Sequence, residues 1–102
     1  MKITITETDS CQVVSLCGEL DTTASTQAEQ ELAPLFSRSD CDIVVDCSQL
    51  TYISSSGLRI LLNIYKHVRK SGHRATLRGI DTDNAYYEAL QLAGFFQLFD
   101  TE

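Results

Sequence analysis

Basic side chains are scarce in this chain: 8 Lys and Arg stand against 14 Asp and Glu, a net charge of −6. Binding along a nucleic-acid phosphate backbone needs clustered Lys and Arg, and so does adhesion to an anionic membrane surface. Both are disfavoured. Long apolar runs are missing too. No stretch approaches the roughly 20 residues that span a bilayer. The opening MKITITETDS alternates apolar with polar residues instead of forming a signal-peptide core. A cytoplasmic protein without membrane insertion is expected. Histidine is limited to His67 and His73. The four cysteines, Cys11, Cys17, Cys41 and Cys47, form no C-x-x-C pair. Metal sites want closer spacing and usually histidine partners. The cysteines therefore read as small apolar residues in strands, and no metal or cofactor is expected. Pro34 is the only proline, and no repeat or linker-like segment interrupts the chain.

What is present suits a single domain over residues 1–102. Apolar residues make up 43%, enough for a core. A chain of this size buries roughly 65% of the surface its unfolded form exposes. That supports one core and leaves little room for a deep cleft, so a switch or binding module fits better than an elaborate enzyme.

Lys2 to Glu7, KITITE, places Ile3 and Ile5 on one side, the pattern of a strand. Cys11 to Cys17 reads as its hairpin partner, with ETDS as the turn. Gly18-Glu19-Leu20-Asp21 then ends the strand, and Thr22 or Thr23 caps a helix. Ala24, Ala28, Leu32 and Leu35 follow at helical spacing, and Pro34 should kink that helix or end it early. Asp42 to Cys47, DIVVDC, has the near-continuous apolar character of a strand buried on both faces. Ser48 to Ile53 reads as a loop. The second helix carries Leu58, Leu61, Leu62, Tyr65 and Val68 on one face, with Ile60 and Ile64 at its edge. Gly72 stops it, and Lys66, His67, Arg69 and Lys70 suit the negative end of its dipole. Arg74 to Ile80 is a fourth strand. Asp81, Thr82 and Asp83 offer caps for a third helix with Tyr86, Ala89, Leu90 and Ala93 inward. Gly94 ends it, and FFQLF is either a short edge strand or a packed tail. This order predicts an α/β fold: a mixed sheet with an N-terminal hairpin and three main helices packed on the sheet.

Ser54, Ser55 and Ser56, followed by Gly57, stand where strand and loop give way to the second helix. A serine there can be a helix cap, a nucleophile or a phosphate acceptor. Catalysis is the weakest of these. A nucleophile elbow needs G-x-S-x-G, and the residue two before Ser55 is Ile53. An activated serine also needs a base. His67 lies about three helical turns beyond Ser55, roughly 15 Å or more along the axis, and His73 follows the helix at its far end. Asp21 and Asp46 could lie near the serines, but neither has an acid–base partner.

These segments carry a resemblance. G-E-L-D at 18–21, D-C-S-Q-L-T-Y-I-S-S-S-G-L-R-I-L-L at 46–62 and L-x-L-A-G-F-F-Q-L-F at 90–99 together resemble the STAS domain. More narrowly, they are similar to the bacterial anti-sigma factor antagonists. The resemblance implies a STAS-like fold along nearly the whole chain and a partner-switching regulator that is not itself an enzyme. Unphosphorylated, such a protein binds an anti-sigma factor that is also a serine kinase, freeing the sigma factor. Phosphorylation on a serine makes it let go, and a PP2C-type serine phosphatase resets it. The acceptor maps onto Ser55, with Ser54 and Ser56 as alternates; the family's aspartate before the acceptor is Ser54 here. The G-x-L-D aspartate maps onto Asp21. Partner contacts are expected at Asp21, Thr22, Ser54, Ser56, Gly57 and Leu58, on an end that Glu19, Asp21 and Asp46 make acidic. A second reading keeps the fold and changes the role: an accessory subunit of a membrane lipid-transport ATPase, with no phosphorylation cycle.

Overall fold

Alternating KITITE forms strand β1 (Lys2–Glu7), antiparallel to β2 (Cys11–Leu20), in the computed structural model, which describes residues 1–102. Ile3 faces Leu16 and Ile5 faces Val14 across this hairpin, so the apolar side of β1 joins the core. There follow α1 (Thr22–Leu32), a 3₁₀ turn (Ala33–Ser37), β3 (Asp42–Ile53) and α2 (Ser55–Lys70). Then come β4 (Ala75–Arg78), α3 (Ala85–Leu92), the short α4 (Phe95–Leu98) and β5 (Asp100–Thr101). The strands stand side by side in chain order, and every pairing after the hairpin is parallel. Right-handed crossovers that all step the same way put their helices on one side of the sheet.

Burial follows that geometry and corrects one expectation. Val14, Leu16, Ile43, Val45, Cys47 and Leu77 are buried, whereas Val13, Ser15, Val44, Asp46, Thr76 and Arg78 between them are only half-buried. Residues 42–47 are thus covered on one face, not both. On the other face, Asp46 pairs with Arg78 at 3.2 Å and accepts the Ser48 N–H at 3.0 Å. Burial pushes the Asp46 carboxyl up, but these bonds outweigh it and hold it below the ordinary carboxylate range.

The segment expected as a loop, 48–53, is strand. Both β2 and β3 run on, to Leu20 and Ile53, and pair along their whole length. Between Ser15 and Cys17, and again between Gly18 and Glu19, β3 carries one more residue than β2. Such bulges bend and twist a strand and re-aim the side chains beyond them. Gly18, with φ of 102°, supplies backbone that other residues resist at the second of them.

The helices differ from the sequence reading in detail. The cap of α1 is Asp21, not Thr22 or Thr23: its Oδ1 accepts the Ala24 N–H at 2.8 Å. Pro34 acts as expected, since α1 ends at Leu32 and the chain tightens into the 3₁₀ turn that still buries Leu35. The inner face of α2 is Gly57, Ile60, Leu61, Ile64 and Val68, with Leu58, Leu62 and Tyr65 only half-buried. Ile60 and Ile64 are therefore central rather than marginal. The third helix is capped by Asn84, one residue after the expected caps, and Ala93 is exposed beyond its end. Tyr86 is buried and accepts the Asp81 N–H at 2.6 Å, while Tyr87 lies nearer the surface. FFQLF divides between α4 and the residue that leads into β5, with Phe95 and Phe99 buried.

Cys41 and Cys47 are buried, Cys11 is half-buried and Cys17 is exposed. The strand reading holds for all but Cys41, which lies one residue before β3. The shielding that a small apolar strand residue would have does not extend to Cys17, whose side chain is open to solvent. Burial pushes the Cys47 thiol up to about 12 from an ordinary 9.0. In the unfolded chain that thiol ionises first, so its contribution to stability is complete below about pH 9 and is lost as pH rises towards 12. A thiol titration with Ellman's reagent at neutral pH should show Cys17 reacting fast and Cys41 and Cys47 reacting only on unfolding. Fast reaction of Cys47 in the native state would contradict this packing.

Candidate functional site

Ser54 is where β3 ends and α2 begins. Its backbone N–H donates to the Leu20 carbonyl at 2.9 Å, which fixes the end of β3 against the end of β2. The residues that follow, Asp21 after Leu20 and Ser55 after Ser54, therefore emerge at the same end of the sheet. Each also starts a helix: Asp21 caps α1, and Ser54 caps α2 by accepting the Gly57 N–H at 3.1 Å. Two helix N-termini thus open side by side.

The three serines have unequal fates. Ser54 is 8% exposed, and its hydroxyl donates to the Leu20 carbonyl at 3.0 Å. Ser56 is half-buried and lies 3.0 Å from both the Ser54 and the Ser25 hydroxyls. Ser25, 3% exposed, donates to the Asp21 carbonyl at 2.8 Å. Each hydroxyl has one proton. Those of Ser54 and Ser25 go to consecutive carbonyls, Leu20 and Asp21, so the Ser56 proton bridges the remaining gap between α2 and α1. Ser55 takes no part in this chain of bonds and is exposed.

Gly57 completes the junction. A Cβ there would stand 2.8 Å from Ile53 Cγ1 and 2.9 Å from Leu20 Cγ. Only glycine lets the first turn of α2 settle this closely on the strand ends. Ser54 and Gly57 shape the site from beneath. Asp21 and Leu58 are half-buried, and Thr22 and Ser55 are exposed, so these form its surface.

Some sequence expectations fail here. Asp46 is not at this end: it precedes Ser54 along one strand by a distance on the order of 20 Å, and its carboxylate is engaged by Arg78. The acidic groups at the site are Glu19 and Asp21. Two residues escape a reading of the sequence. Ser25 is one; its position four after Asp21, on the inner side of α1, is the signal that marks it. Tyr52 is the other. It is 49% exposed beside Ile53 and pairs across the strands with Glu19.

No acid–base pair serves these serines. His67 is 12 residues along α2 from Ser55, about 18 Å, and bonds the Arg38 carbonyl at 2.8 Å. His73 lies 3.3 Å from Asp42, at the opposite end of β3. No three His, Cys, Asp or Glu side chains come together as a metal site, and no helix is long and apolar enough to cross a membrane.

A strand-to-helix junction of this kind, on a sheet ordered by the N-terminal hairpin and successive parallel crossovers, has its match over residues 2–102: the STAS domain model. The chain belongs to the STAS domain family. Among similar proteins, BtrV of Bordetella bronchiseptica is 29% identical over 99 residues, 97% of this chain and 84% of that one. The anti-sigma F factor antagonist of Paenibacillus polymyxa is 28% identical over 87 residues, 84% of this chain and 73% of that one. The Bacillus anti-sigma factor antagonist SpoIIAA shares the fold at 18% identity in both solved states. Its unphosphorylated form superposes with a TM-score of 0.81 over 99% of this chain and 88% of that one. The phosphorylated form gives 0.73 over 99% and 91%. The STAS domain described here is thus similar to proteins that act as anti-sigma factor antagonists.

Proposed function

We infer that this STAS protein is an anti-sigma factor antagonist whose hold on an anti-sigma factor is released when Ser55 is phosphorylated. The observation that carries this is the division of labour among the serines. The Ser54 and Ser56 hydroxyls are engaged within the fold, while Ser55 is exposed and unengaged. The named relatives that antagonise anti-sigma factors, one of them known in a phosphorylated form, support the partner and the modification.

The mechanism is local electrostatics. A phosphate adds about −1.5 to −2 charge units. At the start of α2 the helix dipole favours that charge, so the domain stays folded. On the outside, the charge joins Glu19 and Asp21, repels partner carboxylates and must be desolvated in any complex. A change of about 1.4 kcal/mol is tenfold in affinity, so no large motion is required. In this reading the kinase is the anti-sigma factor itself, a PP2C-type phosphatase restores the free serine, and the surface of Asp21, Thr22, Ser55 and Leu58 forms the contact. Ser54, standing where the family has aspartate, keeps the capping role with its hydroxyl.

Incubation with the cognate kinase and ATP, followed by peptide mapping, tests the assignment. Phosphate should be found on Ser55. Phosphate on Ser54 or Ser56 would move the site, and none on any of the three would favour the transport-ATPase accessory role.

A further inference from the structure

We propose that Arg59 is the intramolecular counter-ion of a phosphate on Ser55, so that modification both adds an anion to this face and withdraws its free cation. The proposal rests on Ser55 as the acceptor and concerns how its modification is read.

Helix α2 runs without interruption from Ser55 through Arg59. Residues four apart on a helix lie on the same face, with Cβ atoms about 6 Å apart. Helical Cα–Cβ bonds tilt towards the N-terminus, so the longer side chain at position 59 leans back over the turn that holds Ser55. Both residues are exposed. Arg59 is also unengaged. Arg38, Arg74 and Arg78 each pair with a carboxylate, whereas Arg59 forms no ion pair and no side-chain hydrogen bond. The next cation along α2 is Lys66, seven residues and about 10 Å further from the site.

The neighbouring carboxylates leave the role open to phosphate. Asp21 is held as the cap of α1 through Oδ1, and Glu19 projects from the end of β2. A phosphate would present three strong acceptor oxygens, which a planar guanidinium meets with two parallel hydrogen bonds. A lysine would offer only a point charge. Before modification this end of the molecule shows a partner Glu19, Asp21 and the free positive charge of Arg59. After it, Arg59 is occupied in cis and only negative charge remains outward.

The test uses the full chain with phosphoserine installed at position 55 by genetic encoding, which makes it independent of any kinase. The second ionisation of the phosphate is followed by phosphorus NMR in wild type, Arg59→Gln and Arg59→Lys. Any effect of Glu19 and Asp21 on that ionisation is common to all three. Arg59 should pull it down, so that Arg59→Gln titrates about half a pH unit or more above wild type, with Arg59→Lys between them. The difference should shrink in high salt. Identical titrations in wild type and Arg59→Gln would overturn the proposal. Kinase mapping to another serine would instead remove the function assigned to Ser55 and leave the titration result standing, so the two failures are distinguishable.

Discussion

Ser55→Asp lowers affinity for the anti-sigma factor tenfold or more, while Ser55→Ala stays within a few-fold of wild type, and both variants remain folded. This is the result expected from calorimetry with thermal melts alongside. Position explains the folding. A carboxylate in the first turn of α2 gains roughly 0.3–1 kcal/mol from the dipole. Loss of the Ser55 hydroxyl removes no bond, because the cap is Ser54 and the bridge is Ser56. The apolar face that seats α2, from Ile60 to Val68, is untouched. The binding effect comes from charge at a surface that already holds Asp21. Aspartate has one charge and less bulk than phosphate, so it should weaken binding less than the phosphate does. A large fall in melting temperature for Ser55→Ala would contradict the hydrogen-bond arrangement described for the three serines.

Leu20→Ala should lower unfolding free energy by about 2–5 kcal/mol, since Leu20 is fully buried directly beneath Gly57. Gly57→Ala should also destabilise. Alanine improves helix propensity by about 1 kcal/mol, but its methyl would meet the middle of the Ile53 and Leu20 side chains at 2.8–2.9 Å. Overpacking of that kind costs about 1–3 kcal/mol. The two changes should then compensate each other: in the double variant the new methyl occupies space that Leu20 vacates, and the combined loss falls short of the sum. Urea denaturation of the four proteins measures this. Strict additivity would mean that Gly57 and Leu20 are not in the close contact that seats α2 on the strand ends.

Much of this junction is legible in the sequence, and the parts that are not have physical reasons. Ser54 to Gly57 stand out because polar and small residues stop an apolar strand and precede a strongly periodic helix. The face of that helix is harder to read. Between Leu58 and Val68, seven apolar residues satisfy helical spacing along two overlapping stripes, and only packing on the sheet selects Ile60, Leu61, Ile64 and Val68. Gly57 lies three and four residues before Ile60 and Leu61, so it marks the chosen stripe once its close approach to Leu20 is known. Gln49, Thr51 and Tyr52 suggest a loop because two bulges leave them exposed on a strand that still pairs throughout. Asp21 outranks Thr22 as a cap by one residue, within the uncertainty that adjacent capping residues always create. The Ser25–Ser56 bond depends on how α1 crosses α2, about which local spacing says nothing. Asp46 reads as close to the serines only if a loop comes after Cys47; a continuous strand carries it away.

The central claim is that phosphate on Ser55 releases the partner. Its most direct test is calorimetry of the cognate anti-sigma factor against unmodified protein and protein phosphorylated at Ser55. The account predicts tight binding of the first and at least a tenfold weaker complex with the second, with both forms equally folded. Equal affinities for the two forms would contradict it.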